Sequence, residues 1–204
     1  MPRPKTPLLS TERIADAAME LVDEGAPFGV NAIARRLGVT PSSLYNHVSG
    51  RDEIIELMRG RLGEQYMPLA IDGTWDVVVE EMLRAERRMY AVHPFLIQLI
   101  VVKTSTDPTV IASYDLLARA LAGAGFPDDD VLEVVAILDA FSIGFGLDLA
   151  SPDEIWRPET PTTTLGRLVG SSPRGAQRSD RAFESGLEML LDGLRLRLAR
   201  TELD

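Results

Sequence analysis

The chain has 204 residues, of which 21 are lysine or arginine and 31 are aspartate or glutamate, so its net charge is −10. It contains no cysteine, which excludes disulfides, thiolate metal sites and cysteine nucleophiles. No apolar run approaches the roughly 18 residues that span a membrane, and no early segment is typical of a signal peptide, so we expect a cytoplasmic protein that is not bound to membranes.

The charge is unevenly distributed along the chain. Residues 1–63 hold 8 basic and 8 acidic residues, whereas residues 64–204 hold 13 basic and 23 acidic ones and account for the whole −10. Residues 25–51 contain no acid. The net charge therefore does not argue against an anionic partner for the first 63 residues, although chance spacing of solvated charges explains the same counts.

Apolar residues recur at helical spacing through most of the chain, with no convincing strand pattern. Ser10 or Thr11 caps the first predicted helix and Thr40 caps the third, while Ser49 with Asp52 predicts a capping-box start for the fourth. The predicted helices cover approximately residues 11–24, 30–37, 41–48, 50–66, 74–92, 95–103, 108–124, 128–150 and 179–199.

A break at Pro68 and Gly73 coincides with the change in charge and predicts a domain boundary. We expect one domain over residues 1–63, which includes the start of the fourth helix, and a second helical domain over residues 64–204. Residues 151–178 hold four prolines, three glycines and seven serines or threonines, and this composition predicts a long mobile loop.

Residues 29–48 predict two short helices joined by a turn that contains glycine. Gly38 suits a turn that needs a positive φ, and spacing directs Val39, Leu44 and Val48 inward. The outward side chains are small or hydrogen-bonding and include no acid: Thr40, Pro41, Ser42, Ser43, Tyr45, Asn46 and His47. Such a helix can enter a major groove without repelling phosphate. A merely structural helical hairpin fits the pair of helices as well.

A set of residues around this pair forms a characteristic pattern: Ile14, Ala17, Ala18, Ile33, Ala34, Gly38, Val39, Leu44, Tyr45, His47, Val48 and Arg51–Ile54. The pattern resembles the N-terminal domain of the tetracycline-repressor (TetR) family of transcription regulators. Gly29 stands where the family often has a capping threonine, and Arg51 stands where lysine is more usual. Glycine is an acceptable cap and arginine keeps the cation. Residues 180–194 look like the last helix of the family's ligand domain.

The resemblance implies an all-α protein with an N-terminal three-helix helix-turn-helix domain and a C-terminal helical ligand-binding and dimerisation domain. It implies a homodimer in which the last two long helices of each subunit form a four-helix bundle. Operator DNA and a small-molecule effector are the expected partners, with no cofactor and no metal. The helix over residues 128–150 has apolar or small residues on nearly every face, which permits such a dimer; a buried central helix in a monomer is the alternative.

For DNA, we expect phosphate contacts from Arg35, Arg36 and Arg51, and from an N-terminal arm with Arg3 and Lys5. The reading face would consist of Ser42, Tyr45, Asn46 and His47, of which Tyr45 and His47 could contact phosphate instead of bases. In a dimer, two recognition helices about 34–36 Å apart would read an inverted repeat in successive major grooves.

For the effector, we expect a small, mostly apolar molecule in the core of the second domain. The candidate lining residues are Met82, Met89, Tyr90, His93, Gln98, Asp139, Ser142 and Phe145. His93 and Asp139 are polar groups on predicted apolar helices and need a partner or a ligand. Alternatively, His93 caps its helix beside Pro94, and the methionines are ordinary core residues. Trp75 and Trp156 are pocket walls or surface packing, and a loop position makes Trp156 a candidate lid.

Enzymatic motifs are missing from the sequence. It has no P-loop, dinucleotide fingerprint, Gly-x-Ser-x-Gly elbow or His-Glu-x-x-His, and it has only two histidines. We therefore expect a ligand-responsive repressor of transcription that its inducer releases from DNA, and not an enzyme. Two alternatives stay open: a helical small-molecule-binding protein with a vestigial helix-turn-helix, and an enzyme of unrecognised kind.

Overall fold

The computed structural model describes residues 9–201, and every regular element in that range is an α-helix, which confirms the expected fold class. Arg3 and Lys5 lie outside the described residues. No helix within residues 9–201 is long and apolar enough to cross a membrane. The helices are α1 (Thr11–Asp23), α2 (Val30–Leu37), α3 (Pro41–Leu44), α4 (Arg51–Tyr66), α5 (Trp75–Val92), α6 (Ile97–Ile100), α7 (Pro108–Ala124), α8 (Asp128–Asp148), α9 (Thr164–Ser171) and α10 (Gly175–Thr201).

Two of the predicted helix starts follow their expected caps. The Ser10 hydroxyl accepts a hydrogen bond from the backbone N–H of Arg13 at 3.4 Å, and the Thr40 hydroxyl accepts one from Ser43 at 3.3 Å. Both caps satisfy backbone donors that have no partner within the first turn of a helix. These starts were predictable because donor and acceptor lie three residues apart.

At the start of α4, the acid that bonds to Ser49 is not the predicted one. Gly50 is the N-cap, so the third helical residue is Glu53 and not Asp52. The Glu53 carboxylate accepts hydrogen bonds from the backbone N–H and the hydroxyl of Ser49 at 2.6 and 2.7 Å. These bonds lower the pKa of Glu53. The expected capping pair of Ser49 with Asp52 was therefore wrong by one residue.

Three other predictions of helix extent were also wrong. The third helix ends at Leu44, after which residues 45–47 form turns, and α6 covers only Ile97–Ile100. The expected loop over residues 151–178 contains α9 and the start of α10. Thr163 caps α9 by accepting a hydrogen bond from the N–H of Gly166 at 3.1 Å. Thr163, one of the threonines that suggested a loop, is therefore a helix cap. Serine and threonine are favoured both in turns and at helix N-caps, so composition does not distinguish the two.

The described chain forms two compact units, each made of two stretches. The first unit holds residues 9–70 and 88–116, and the second holds residues 71–87 and 117–201. The expected functional division between residues 63 and 64 stays a prediction. In packing, residues 88–116 join the first unit because α4 makes contacts with α6 and with the segment that precedes α7.

Each unit has its own apolar core. In the first unit the fully buried side chains include Ile14, Ile33, Leu44, Ile54, Met58, Leu62, Leu96 and Ile97. In the second unit they include Val79, Leu121, Val134 and Leu138. Burying one such side chain contributes about 1.5–3 kcal/mol before the entropy of ordering is subtracted. The cores hold the segments described next in fixed orientations.

Candidate nucleic-acid interface and effector site

The turn between α2 and α3 depends on one backbone conformation. Gly38 has φ +68°, in the left-handed region, and ends α2. Its N–H bonds to the carbonyl of Arg35 at 3.3 Å, while the N–H of Val39 bonds to the carbonyl of Ala34 at 3.0 Å. These two bonds satisfy the last carbonyls of α2 and direct the chain into α3.

Replacing Gly38 with alanine should lower the free energy of unfolding by about 1 kcal/mol, because a Cβ disfavours positive φ. There is open space around a Cβ at this position, so the cost is conformational and not a clash. Urea denaturation followed by circular dichroism measures the change. Gly123→Ala is the matched control, because Gly123 lies within α7 with open space and no positive φ; it should leave stability unchanged or raise it. Equal effects of the two substitutions would contradict this account of the turn.

The residues after the turn present one polar face. Leu44 and Val48 are 0% and 2% exposed and confirm the predicted inward side. The opposite side exposes most of the predicted reading residues: Thr40, Pro41, Ser42, Tyr45, Asn46 and His47. Ser43 is half-buried, and its hydroxyl lies 2.9 Å from that of Thr40, so this pair serves the helix cap. The exposed face includes no acid.

The three expected phosphate-binding arginines differ in their surroundings. Arg35 is exposed and has no acidic partner among residues 9–201. Arg36 instead bonds to Glu24 at 2.5 and 3.0 Å and to Glu20 at 3.0 Å, and these acids raise the pKa of its guanidinium. Arg51 places its guanidinium carbon 4.7 Å from the centroid of the Phe28 ring. Of the three, Arg36 is therefore the one already held by carboxylates.

Helix α4 holds the segment between α6 and α7 through two buried or half-buried charges. The Arg59 guanidinium, 8% exposed as a residue, donates to the carbonyls of Ile100 and of Lys103, the latter at 2.8 Å. It also pairs with Glu56 at 3.2 Å. The carbonyls at the end of α6 thus find their partner on a different helix.

The Glu56 carboxylate accepts the backbone N–H groups of Thr106 and Asp107 at 2.5 and 2.8 Å, and the Ser105 hydroxyl at 3.0 Å. Burial by itself would raise the pKa of this carboxyl. The hydrogen bonds act more strongly in the opposite direction, so the net pKa lies below the ordinary value for glutamate. Sequence reasoning missed this junction. One usable signal was Gly60, where a Cβ would meet the Asp107 carboxylate and prevent the close approach of the two segments.

His93, a predicted effector contact, has protein partners on both ring nitrogens. Its Nδ1 lies 2.8 Å from Oδ2 of Asp23, and its Nε2 lies 3.2 Å from the Tyr66 hydroxyl. The side chain therefore joins α1, α4 and the end of α5 within the first unit. Neither a ligand nor the alternative role as a helix cap is needed to satisfy it.

The eight predicted effector residues are divided between the two units. Met89, Tyr90, His93 and Gln98 belong to the first unit, where Met89 and Tyr90 are buried and Gln98 is exposed. Met82, Asp139, Ser142 and Phe145 belong to the second unit, where Met82 and Ser142 are buried and the other two are half-buried. Their contact with an effector stays a prediction.

Helix α5 carries a half-buried acid, Glu86, that sequence reasoning missed. Burial raises the pKa of the Glu86 carboxyl to about 7, the nearby Ser142 hydroxyl opposes the rise, and the negative charge of Asp139 adds to it. The usable signal was spacing. Glu86 lies four residues after Met82 and four before Tyr90, both buried, so it shares their face of α5.

An aromatic cluster joins α8 and α10 within the second unit. Phe141 and Phe145 of α8 and Phe183 of α10 form a cluster with ring centroids 4.7 to 5.7 Å apart. The Arg87 guanidinium lies 5.3 Å from the Phe183 centroid. It also donates to the Phe145 carbonyl at 2.7 Å, and to the Ser179 hydroxyl and the Asp180 carboxylate at 2.8 Å each. Arg87 is therefore fully engaged next to the cluster.

The two tryptophans have different surroundings. Trp75 packs edge-on against Phe126 with ring centroids 5.3 Å apart. Trp156 is 51% exposed and lines a cleft of about 250 Å³ together with Ile155 and with Leu165 and Leu168 of α9. The proposed role of Trp156 as a lid stays a prediction.

Two short helices joined by a left-handed glycine, with an acid-free outward face on a buried apolar base, define a helix-turn-helix DNA-binding protein. The family model described as "Tetracyclin repressor-like, C-terminal domain" matches residues 67–198. The chain therefore belongs to the tetracycline-repressor family of transcription regulators.

Individual relatives agree with this assignment. The transcriptional repressor DrrR1 of Streptomyces coeruleorubidus is 24% identical over 95% of this chain and 80% of its own length. An HTH-type transcriptional regulator of Saccharopolyspora erythraea is 29% identical over 80% of this chain and 69% of its own length. Among solved structures, apo ActR from Streptomyces coelicolor superposes with a TM-score of 0.79 at 25% identity, covering 96% of this chain and 99% of ActR.

Proposed function

We propose that the chain is a ligand-responsive transcriptional repressor that binds an inverted-repeat operator as a homodimer and leaves it when a small molecule occupies the second unit. The observation that carries the proposal is the exposed, acid-free face that follows Gly38. DrrR1 is a transcriptional repressor by name, and ActR has been solved in complex with actinorhodin. The name of DrrR1 supports repression, and the ActR complex supports control by a small molecule.

The homodimer is supported by apolar side chains that the second unit leaves exposed. On α8, Leu132 is 74% and Ile137 is 47% exposed; on α10, Met189 is 73% and Leu196 is 63% exposed. Exposed large apolar residues on two long helices are typical of a protein interface. A second copy of the chain is the proposed occupant, and sedimentation should give a dimer. A monomer at micromolar concentration would contradict this part of the proposal.

Control by the effector requires a path to α4. We propose that the path is α7, because its residues 108–116 belong to the first unit and residues 117–124 to the second. Any displacement at the start of α7 acts on Glu56, which holds the N–H groups of Thr106 and Asp107. An effector can drive such a change only by binding the displaced conformer more tightly, and a coupling of about 1–3 kcal/mol is usual.

The DNA contacts are tested on operator DNA found by selection from random sequences and by mobility shift of the DNA that flanks the gene. Asn46→Ala should reduce the preference for the selected site about 10- to 100-fold, as expected for loss of a base contact. Arg35→Ala should weaken binding to all sequences alike and reduce the salt slope by about 1.

Arg36→Ala is the matched control for Arg35→Ala. Its guanidinium is already held by Glu20 and Glu24, so its removal should change DNA affinity less. Failure to select any specific site would overturn the proposed function. Chemical turnover of a tightly bound ligand would indicate an enzyme instead.

A further inference from the structure

A cleft in the second unit lies between the segment that precedes α9, α9 itself and the start of α10. Its volume is about 250 Å³. This exceeds the roughly 150 Å³ of a cavity that binds benzene and falls below the roughly 300–1,000 Å³ typical of sites for drug-sized ligands. The cleft therefore has the size for a compound of one or two rings. We call it the α9 cleft, and its lining residues include Ile155, Trp156, Leu165, Leu168, Arg174 and Arg178.

A hydrogen bond and close backbone packing fix the walls of the α9 cleft. The N–H of Gly175 donates to the carbonyl of Asp153 at 3.1 Å, which joins the segment before α9 to the start of α10. Gly166 of α9 packs so closely that a Cβ there would collide with the backbone of Thr160 and Pro161. The cleft is therefore preformed, and a preformed site lowers the entropic cost of binding a ligand.

The α9 cleft gathers apolar side chains that the second unit leaves exposed. Ile155, Trp156, Leu165 and Leu168 are between 38% and 51% exposed, and all four line the cleft. Single exposed apolar residues are ordinary, whereas a group of them around one cleft is typical of a binding site. The Trp156 indole also offers a flat face on which a ring can stack. An aromatic ligand would remove this apolar surface from water.

Three of the four charged residues that line the α9 cleft are accounted for by their neighbours. Arg178 pairs with Asp148 at 2.8 Å, and Glu154 pairs with Arg157 at 2.8 Å. The Asp153 carboxylate lies against the first residue of α10, where the positive end of the helix dipole stabilises an acid. These three charges are held by the protein itself.

Arg174 is the fourth charged residue, and its guanidinium lacks a hydrogen bond. Its side chain is 61% exposed, and its Nη2 lies 3.7 Å from Oε1 of Glu154, which is too far for a hydrogen bond. No closer acid is paired with it between residues 9 and 201. Because Glu154 is already bonded to Arg157, Arg174 keeps donors for another acceptor. A carboxylate matches these donors, since it can accept two parallel hydrogen bonds from one guanidinium.

We propose that the α9 cleft binds an aromatic carboxylate, with its ring system against Trp156 and Leu168 and its carboxylate on the Arg174 guanidinium. The apolar lining recognises the ring, and the unbonded guanidinium recognises the anion. The inference goes beyond the proposed function, because the cleft contains none of the eight candidate effector residues and binding there requires no DNA.

The test uses the full-length protein and three probes on one ring skeleton: 2-naphthoate, 2-naphthylmethanol and 2-naphthylmethylamine. At pH 7 the first is an anion, the second is neutral and the third is a cation. Titration calorimetry measures the affinity of each probe at low and at high salt. We expect the acid to bind about 3- to 10-fold more tightly than the alcohol, as for a partly exposed charge-assisted pair, and the amine to bind most weakly. High salt should reduce the advantage of the acid.

Variants connect this preference to the α9 cleft. Arg174→Gln should weaken binding of the acid to the level of the alcohol and leave the alcohol unchanged. Trp156→Ala should weaken the acid and the alcohol alike, by about 10-fold, because both lose the same ring contact. Arg181→Gln is the matched control, since Arg181 is exposed on α10 and does not line the cleft; it should change neither affinity. Circular dichroism checks that each variant is folded.

The inference is overturned if 2-naphthoate does not bind, if the alcohol or the amine binds as tightly, or if the preference for the acid survives in Arg174→Gln. Binding that appears only after dilution to a monomer would show that a second copy of the chain covers the cleft, and would overturn it as well. Specific operator binding tests the proposed function separately. A protein that binds an operator but not 2-naphthoate would overturn only this inference, and one that binds 2-naphthoate but no specific DNA would overturn only the proposed function.

Discussion

Replacing Glu86 with glutamine should make the protein roughly 2–3 kcal/mol more stable than the wild type at pH 8, with a much smaller difference at pH 5. In the folded protein, burial raises the pKa of this carboxyl from 4.5 to about 7. The folded state therefore holds a proton that the unfolded state releases between these two values. Stability from this group is fully present below about pH 4.5 and is lost as the pH rises to about 7.

Glutamine does not ionise in this pH range, so Glu86→Gln keeps the unfolding free energy that the wild type loses as the pH rises. Urea denaturation of both proteins from pH 5 to pH 8, at one ionic strength and one protomer concentration, measures the difference in unfolding free energy. Glu81→Gln should follow the wild-type curve at every pH, because Glu81 is exposed. Parallel curves for the wild type and Glu86→Gln would show that the Glu86 carboxyl titrates alike in both states.

Replacing Arg59 with alanine should lower the free energy of unfolding by about 3 kcal/mol, because it breaks a buried charge pair and removes the donor for buried carbonyls. The carbonyls of Ile100 and Lys103 would lose their guanidinium donor, and Glu56 would lose its cation. Because these contacts hold α6 to α4, hydrogen exchange of residues 97–107 should also accelerate. Urea denaturation and mass-spectrometric exchange measure the two effects.

Arg181→Ala is the matched control, since Arg181 is exposed in the second unit and its removal should change stability by less than about 0.5 kcal/mol. Arg59→Lys should lie between the wild type and the alanine variant, because a lysine keeps the charge but cannot donate in the same planar geometry. A loss below about 1 kcal/mol for Arg59→Ala would contradict a structural role for the buried guanidinium.

Short-range signals made the segment from α2 to the residues after α3 largely predictable. The bounds of α2, the left-handed Gly38 and the Thr40 cap all depend on residues within four positions of one another. The exposed polar face after Gly38 also followed from periodicity, because burying Leu44 and Val48 fixes which side of the segment faces outward. The errors over α9 and the Glu53 cap were local as well, and arose where one composition is compatible with both a loop and a helix start.

By itself, the sequence determined the all-α fold class, the turn between α2 and α3 and the face that follows it, because neighbouring residues decide these features. The tertiary structure decided what the charged residues do. Arg36 is held by carboxylates 12 and 16 residues away, and Arg59 donates to carbonyls 41 and 44 residues away. The pKa of Glu86 is raised by burial and by the charge of Asp139 on another helix. The role of a charge depends on the sign and distance of its partners, which only the folded chain brings together.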